Sequence, residues 1–340
     1  MRALRAIRIL SGFFLLTVPL MPLQFAFVKF SQRYARTLPH WYHRQLCRLL
    51  GLRFTIEGGL VADKPVLLVA NHTSWLDIPA ISALAPVSFI AKKEVSRWPF
   101  VASLAKLQRT VFVDRQRRSA AASSAGEIAT RLAEGDTLVL FAEGTSSDGN
   151  RVLPFKTSLF AAAKPGRFSR AQTGDNADPE GGAKSALSSQ ADAPSTPSDA
   201  RVQTVTICYT HLHGIPLERA ERPLVGWYGD MEMGAHAWEL LKAGPLDVKI
   251  KVGPPVPLDA FADRKALARH SEQEIRTELV RILRGRPPGE DVQVTDIPGC
   301  NGVGHITAWL DQYGTAAFLD HLDRRRRVTK VCVHEDFAGA

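Results

Sequence analysis

The chain has 340 residues, enough for one large domain or two ordinary ones. Its 43 Lys and Arg against 34 Asp and Glu give a formal net charge of +9, which suits an anionic partner such as an acidic membrane surface or nucleic acid. The four cysteines are far apart and form no Cys-x-x-Cys pair, so the sequence indicates neither a disulfide framework nor a zinc site and favours a reducing compartment.

The N-terminal segment predicts attachment to a membrane. Three arginines precede an uncharged stretch that runs from Ile9 to Val28. A helix of this length measures about 30 Å, which is the thickness of the hydrocarbon core of a bilayer. Pro19 and Pro22 each remove a helical hydrogen bond. A kinked span, a re-entrant hairpin and an interfacial anchor are therefore all compatible with the segment, and a buried N-terminal helix is the simpler alternative.

Residues 29–53 carry six basic side chains and no acidic one. Within them, Pro39 to Leu50 has the pattern of an amphipathic helix that ends at Gly51. Basic residues close to an anionic membrane contribute about 1 kcal/mol each to binding. We therefore assign residues 1–53 to a membrane anchor followed by a basic interfacial helix, with an ordinary solvated basic face as the alternative.

From Phe54 to about Ala163 the chain alternates between strand and helix patterns. This alternation predicts an α/β domain with a mixed, largely parallel sheet flanked by helices. The predicted strands are Val66–Ala70, Val87–Ala91, Thr110–Val113 and Thr137–Phe141. The predicted helices are Ile78–Leu84, Pro99–Leu107, Ser119–Ala133 and Pro154–Ala163.

Residues 164–201 interrupt the alternation. They are rich in small and polar residues and contain only two large apolar side chains, Phe168 and Leu187. Such a stretch cannot bury enough surface to offset its ordering entropy, so we expect a disordered insertion.

The folded pattern resumes after the insertion and extends the predicted domain over residues 54–285. Two strands and a helix are predicted there, at Val202–Tyr209, Leu246–Val252 and Leu258–Leu283. Residues 286–340 form a C-terminal tail whose role the sequence does not define. Within the tail, Trp309–Leu322 has a helical pattern and Arg324–Arg327 is a bare basic run.

The first candidate motif is Asn71-His72-Thr73-Ser74-Trp75-Leu76-Asp77, between a predicted strand and a predicted helix. Histidine followed five residues later by aspartate suits a general base and the carboxylate that orients it. Five residues correspond to about 140° around a helix, so the two side chains meet only if His72 lies in the turn and Asp77 near the helix start. A core or capping histidine is the simpler alternative.

Two further strand ends carry polar residues. Val111-Phe112-Val113-Asp114-Arg115 ends in an arginine, whose rigid fork suits a phosphate or carboxylate. In Phe141-Ala142-Glu143-Gly144-Thr145, a carboxylate and a Gly-Thr turn follow a strand and offer N–H groups and a hydroxyl to an anion. Taken singly, the arginine would more often be a solvated charge, and a polar turn leading to the next helix explains the Glu143 motif equally well.

Together, in order and spacing, the three motifs resemble the first three blocks of the PlsC-like glycerophospholipid acyltransferases. The resemblance covers roughly residues 30–285 apart from the insertion. It implies transfer of a fatty acyl group from acyl-CoA or acyl carrier protein to a lysolipid hydroxyl, without a further cofactor, at the cytoplasmic face of a bacterial-type membrane. It also implies that His72 is the base and Asp77 its orienter. The residues it would place at the acceptor are Phe112, Arg115, Glu143, Gly144 and Thr145.

The chemistry of the residues agrees with this implication. A thioester carbonyl is already reactive, so the enzyme mainly has to position and deprotonate the attacking hydroxyl, and a placed base typically contributes about 10²–10⁴-fold. The chain has no Gly-x-Ser-x-Gly elbow and no cysteine near the three motifs. Direct attack by the acceptor hydroxyl is therefore preferred to a covalent acyl-enzyme.

Two positions depart from the family pattern. Ser146 stands where lysophosphatidate acyltransferases usually have arginine, and Thr204 stands where the family usually has proline. Loss of the arginine removes a natural partner of a phosphomonoester. The run from Thr145 to Asn150 also resembles lyso-ornithine lipid acyltransferases, whose acceptor has a hydroxy-fatty-acyl oxygen and no phosphate. We predict 1-acylglycerol-3-phosphate as acceptor, giving phosphatidic acid in phospholipid biosynthesis, with lyso-ornithine lipid as the alternative.

The same residues also suit a protein of another functional class, a non-catalytic, membrane-tethered protein that binds anionic lipid. Nucleic-acid binding is disfavoured because the positive charge clusters beside the apolar segment without an aromatic-interleaved recognition motif. His211-x-His213 would place two imidazoles on one face of a strand, but no acidic or cysteine ligand is nearby, so no metal site is predicted.

Overall fold

The computed structural model describes residues 2–61, 65–114, 118–163, 199–288 and 294–296. Several sequence-based predictions lie outside these residues. They are the insertion up to residue 198, the site residue Arg115, the helix at Trp309–Leu322 and the basic run Arg324–Arg327.

Two helices, α1 (Arg2–Phe30) and α2 (Gln32–Leu50), form an antiparallel hairpin at the N-terminus. Thr17 Oγ1 and Tyr42 OH lie 2.8 Å apart across the hairpin. Because α1 is continuous through both prolines, the chain does not turn back within the apolar stretch.

Helix α2 begins earlier than the predicted start at Pro39, and a side chain of α1 explains how it continues through that proline. Proline has no N–H, so the carbonyl four residues before it, that of Ala35, is left without its helical donor. Gln24 Nε2 donates to Ala35 O at 2.9 Å and supplies the missing hydrogen bond.

Among the described residues, α1 is the one helix long and apolar enough to cross a membrane. Only 17% of its most apolar window is buried. Its large apolar side chains that face outward are Leu4, Ile7, Phe14, Leu15, Val18, Leu23, Phe25 and Phe30. An apolar surface of this extent indicates membrane association.

In the part of the chain that the structure describes, a mixed sheet of ten strands forms the centre of the domain. Its strands are β1 (Leu52–Glu57), β2 (Val66–Ala70), β3 (Ser88–Lys92), β4 (Val111–Val113), β5 (Thr137–Phe141), β6 (Arg201–Leu212), β7 (Ile215–Pro216), β8 (Leu246–Val252), β9 (Val256–Pro257) and β10 (Val294–Asp296). Eight strands follow the order β10-β1-β8-β6-β2-β5-β3-β4, and β7 and β9 pair with β6. The pairs from β6 across to β4 and the pair β1–β8 are parallel, whereas β6 runs antiparallel to β8 and β1 to β10. The predicted mixed, largely parallel sheet is confirmed.

The remaining helices flank the sheet. They are α3 (Asp77–Ser82), α4 (Val101–Leu107), α5 (Arg118–Ala133), α6 (Met233–Ala243) and α7 (Arg264–Leu283). The start of α7 corrects the prediction of a helix from Leu258, because the side chain of Asp263 caps the helix by accepting from Ala266 N at 2.7 Å. The helix predicted at Pro154–Ala163 is a shorter 3-10 helix, Thr157–Ala163.

The structure adds to the sequence-based predictions and corrects two of their boundaries. It contains strand β1 and helix α6, which were not predicted. Strand β6 begins at Arg201, so the insertion ends before that residue. Strand β10 lies within the predicted tail but pairs with β1, which attaches part of the tail to the sheet.

The centre of the sheet places the first and third motifs side by side. Every residue of β2 is buried, because β2 pairs with β5 on one side and β6 on the other and both its faces are covered. Ala70 is in register with Phe141 of β5 and Val205 of β6. The chain segments that follow β2 and β5 therefore leave the sheet at the same edge.

Asn71, the first residue after β2, continues the pairing to β6 through its side chain. Its Nδ2 donates to Ile207 O at 3.0 Å, and its Oδ1 accepts from Ile207 N at 2.9 Å. Both atoms are buried, so the amide replaces the ladder bonds that the turn at His72 interrupts.

Replacing Asn71 with Ala is expected to lower the free energy of unfolding by at least about 2 kcal/mol, because two buried backbone groups lose their partners at about 1–3 kcal/mol each. Urea unfolding in detergent micelles measures this. The matched control is Gln45→Ala, which removes a surface contact to Arg48 and should stay within about 0.5 kcal/mol of the wild type. Equal stability of the two variants would contradict the assigned role of Asn71.

Candidate active site

His72 and Asp77 meet at the carboxyl end of β2. His72 Nδ1 lies 2.8 Å from Asp77 Oδ2. His72 occupies the turn, and Asp77 is the first residue of α3, as the five-residue spacing requires. Pro79 consequently falls in the first turn of α3, where its missing N–H costs little.

The Asp77 carboxylate is fully buried, at 0% exposure, and both of its oxygens are hydrogen-bonded. Besides the imidazole, Oδ2 accepts from Thr73 N at 2.7 Å and Ser74 N at 2.9 Å. Oδ1 accepts from the hydroxyl of Tyr209 at 2.7 Å. The side chain thus serves the turn rather than the helix end, whose N-cap is Leu76. Four donors offset the cost of burying this group.

The ring of His72 is held in a single orientation. It stacks on Phe141 with the ring centroids 4.1 Å apart and the planes 18° apart. A carboxylate only accepts hydrogen bonds, so Nδ1 carries the proton that Asp77 accepts, and Nε2 is the ring nitrogen left to face a substrate. The side chain is 17% exposed, which gives a substrate access to the turn. This geometry suits a general base.

Glu143 holds the same turn from the opposite side. Its Oε1 accepts from His72 N at 2.9 Å, and its Oε2 accepts from Leu153 N at 3.0 Å. The residue is only 1% exposed. Burial raises the pKa of Glu143 to about 8, although both backbone hydrogen bonds act in the opposite direction. The resemblance places Glu143 at the acceptor's head group, and in the structure one of its oxygens accepts from the backbone of His72 and the other from the backbone of Leu153.

The residues after Glu143 form a turn beside the dyad. Gly144 has a φ of +72°, a left-handed conformation that favours glycine. Thr145 is exposed, so its hydroxyl is available to a ligand. Ser147 N donates to His72 O at 2.8 Å and ties this turn to the first motif.

Phe112 lies apart from the dyad. It is half-buried in β4, the edge strand that stands three positions from β2 in the sheet. At about 4.8 Å per strand, this separates the two strands by about 14 Å. The structure therefore brings together His72, Asp77, Glu143, Gly144 and Thr145 but not Phe112.

A segment that the sequence analysis missed also borders the site. Trp227 N donates to Thr73 O at 2.9 Å, and Ser146 Oγ donates to Trp227 O. Trp75 Nε1 donates to His236 Nδ1 at 3.3 Å. The segment between β7 and α6 has no helix or strand periodicity, so only its aromatic content could have signalled a role.

An apolar cavity of about 300 Å³ adjoins the site. Trp75, Ile78 and Pro79 line it next to the dyad, and Phe13 and Leu20 of α1 line it on the side of the hairpin. Helices α2 and α4 and strand β3 complete the wall. Because its lining is almost wholly apolar, the cavity suits an alkyl chain.

His211 and His213 make separate contacts in the structure. His211 Nδ1 lies 2.9 Å from Thr210 Oγ1, whereas His213 Nε2 lies 2.6 Å from Ala243 O. Within the described ranges there is no group of three His, Cys, Asp or Glu side chains that could hold a metal ion.

The fold, the exposed apolar helix and the His–Asp pair beside an apolar cavity are the features expected of a membrane-associated acyltransferase. Comparison with known proteins agrees. The sequence model of the family described as Acyltransferase matches residues 52–168. The chain is 44% identical to the lyso-ornithine lipid O-acyltransferase of Brucella abortus over 283 residues, which is 83% of this chain and 97% of that protein.

More distant relatives are named for a different acceptor. The chain is 37% identical over 120 residues to the 1-acyl-sn-glycerol-3-phosphate acyltransferase of Neisseria meningitidis, which is 33% of this chain and 47% of that protein. The crystal structure of the acyltransferase PlsC from Thermotoga maritima shares the fold, with a TM-score of 0.55 at 21% identity over 85% of this chain and all of that one. The chain belongs to the PlsC-like acyltransferase family and is an acyltransferase.

The raised pKa of Glu143 makes the stability of the protein depend on pH. A carboxyl with a pKa near 4.5 when unfolded and about 8 when folded binds more protons in the folded state between these values. Its contribution to stability is therefore complete below about pH 4.5 and is lost as the pH rises towards 8.

We expect the melting temperature of the wild type to fall relative to that of Glu143→Gln as the pH rises from 5 to 8, because only glutamate gains a charge in this range. Differential scanning fluorimetry of both proteins across this range measures the difference. A difference that stays constant with pH, or a wild type that gains stability relative to the variant, would contradict the assignment.

Proposed function

We propose that the chain is a lyso-ornithine lipid O-acyltransferase that acylates the hydroxyl of the acceptor's hydroxy-fatty-acyl chain. The observation that carries the proposal is the match to the Brucella protein of that name over 97% of its length. The match to the glycerophosphate enzyme covers less than half of that protein. The relatives thus support the alternative acceptor of the sequence analysis better than its leading one, 1-acylglycerol-3-phosphate.

In the proposed reaction, His72 Nε2 accepts the proton of the acceptor hydroxyl while the oxygen attacks the thioester carbonyl of acyl-CoA or acyl carrier protein. The C–O bond of the new ester forms, the C–S bond breaks, and the proton passes from His72 to the leaving thiolate. Asp77 stabilises the transient imidazolium through its 2.8 Å contact to Nδ1. The step needs no cofactor besides the thioester.

The surroundings of the dyad support roles for donor and acceptor. The donor's fatty chain would occupy the apolar cavity beside Trp75, and the acceptor would approach over Thr145, which is exposed. Ser146 presents no cation to a phosphate, and its hydroxyl is engaged by Trp227 O. Arg115 stays a proposed partner of the acceptor's carboxylate.

We also propose the location of the reaction. The exposed apolar face of α1 would hold the protein in a bacterial-type cytoplasmic membrane, from which the lysolipid diffuses laterally. The active site would face the cytoplasm, because acyl-CoA and acyl carrier protein are soluble there.

His72→Ala is expected to lower acyl transfer by at least about 10²-fold, since a placed base typically contributes about 10²–10⁴-fold. Membrane association should persist, because α1 is untouched. The assay incubates membranes with a labelled acyl thioester and lyso-ornithine lipid and quantifies the diacyl product. His270→Ala, which alters an exposed histidine of α7, is the control and should keep full activity.

Full activity of His72→Ala would contradict the proposed role of His72 as the general base. If the wild type and the control variant both bind the lipid but form no product, the result would instead favour the non-catalytic lipid-binding alternative.

Acceptor choice is tested at Ser146. The wild type should acylate lyso-ornithine lipid in preference to lysophosphatidate. Ser146→Arg should raise the ratio of kcat/KM for lysophosphatidate over lyso-ornithine lipid by about tenfold or more, since a charge-assisted hydrogen bond contributes about 1.5–3 kcal/mol.

Ser146→Ala also removes the contact to Trp227 O but adds no positive charge. It should therefore leave the ratio of kcat/KM for the two acceptors unchanged. Equal ratios in all three proteins would remove Ser146 as a determinant of specificity.

A further inference from the structure

Tyr209 of β6 reaches the His–Asp pair from a part of the chain 132 positions away from Asp77. Its hydroxyl donates to Asp77 Oδ1 at 2.7 Å, while the opposite oxygen, Oδ2, accepts from His72. The residue is 4% exposed and has no access to a substrate. Any effect it has on the reaction must therefore pass through Asp77.

The sheet dictates where this hydroxyl lies. Alternate residues of β6, namely Val205, Ile207 and Tyr209, belong to the buried cluster on the face of the sheet that α3 covers. The pairing of β6 with β8 shifts its register between Tyr209 and His211. A bulge of this kind redirects the side chains beside it, and here it follows directly after the tyrosine.

The hydroxyl supplies the last of the four hydrogen bonds that fix the carboxylate. Three of the four donors to Asp77 converge on Oδ2, and rotation about the Cβ–Cγ bond would also move Oδ1 away from Tyr209. Among the described residues, Tyr209 is the one hydrogen-bond partner of Oδ1. Without its hydroxyl, Oδ1 would be buried without a donor, and the carboxylate would gain by rotating or by taking up a proton.

We propose that Tyr209 is a positioning residue for acyl transfer, whose hydroxyl fixes the Asp77 carboxylate so that Oδ2 faces Nδ1 of His72. The inference rests on the proposed roles of His72 and Asp77. Burial, together with the neighbouring carboxylate, raises the pKa of Tyr209 well above its usual value of 10, so the hydroxyl stays protonated and remains a donor throughout the working range.

The test is Tyr209→Phe, which removes one oxygen and keeps the ring. We expect kcat to fall about 10–100-fold while KM for the acyl thioester and for lyso-ornithine lipid stays within about twofold, because no substrate contact is lost. The matched control is Thr210→Val, which removes the neighbouring hydroxyl, bonded to Asp247 O at 3.3 Å, and should keep the wild-type kcat.

A double-mutant cycle with Asp77→Asn separates positioning from general stability. If Tyr209 acts through Asp77, adding Tyr209→Phe to Asp77→Asn changes kcat less than twofold, whereas independent effects would multiply. Multiplied effects, or full kcat in Tyr209→Phe while Asp77→Asn is impaired, would overturn the inference. Full activity of Asp77→Asn would refute the role of Asp77 and this inference with it, whereas absence of acyl transfer by the wild type would refute the proposed function.

A measurement on the folded protein needs no turnover. The Nδ1 proton of His72, bonded to a carboxylate, should give a downfield NMR resonance that is absent from His72→Ala. This resonance should move in Tyr209→Phe and stay in place in Thr210→Val. An unmoved resonance in Tyr209→Phe would contradict the positioning role.

Discussion

The burial of the Asp77 carboxylate is the constraint on which the site depends. An acidic group without solvent is tolerated only where donors surround it, and the donors here come from the turn after β2 and from β6. Satisfying one side chain therefore fixes the turn, the start of α3 and a distant strand together. Glu143 fixes the other side of the turn through the N–H of His72. Asp77 thus holds the imidazole ring of His72, and Glu143 holds its backbone N–H.

The N-terminal hairpin both presents an apolar surface to a membrane and lines the apolar cavity. The outward face of α1 is apolar, and its inward face lines the cavity beside the dyad. Gln24 links the two roles, because its Nε2 donates both to Ala35 O of α2 and to Leu107 O at the end of α4. A change in how α1 sits against the domain would therefore also change the walls of the cavity that we assign to the fatty chain.

The sequence by itself determined the elements whose pattern is local. Strands β2 and β5 were predicted with their observed ends, because buried parallel strands are continuous apolar runs. The contact of His72 with Asp77 was predicted as well, since five residues across a strand–turn–helix junction leave few other arrangements. The membrane-associated helix followed from composition alone. Strand β1 and helix α6 were missed, although β1 is longer than β2 and α6 is longer than α3.

Only the tertiary structure decided which distant residues meet. Tyr209 sits in an ordinary apolar strand pattern, and its partner lies 132 positions away, so the contact exists only because β6 is inserted beside β2. The same strand order separates Phe112 from the dyad, although its motif stands between the other two in the sequence. The buried Glu143, which the resemblance places at the acceptor, also accepts a hydrogen bond from the backbone of His72, a contact that sequence patterns do not reveal. Local periodicity specifies strands and helices, but the order of strands in a sheet arises from packing across the whole chain.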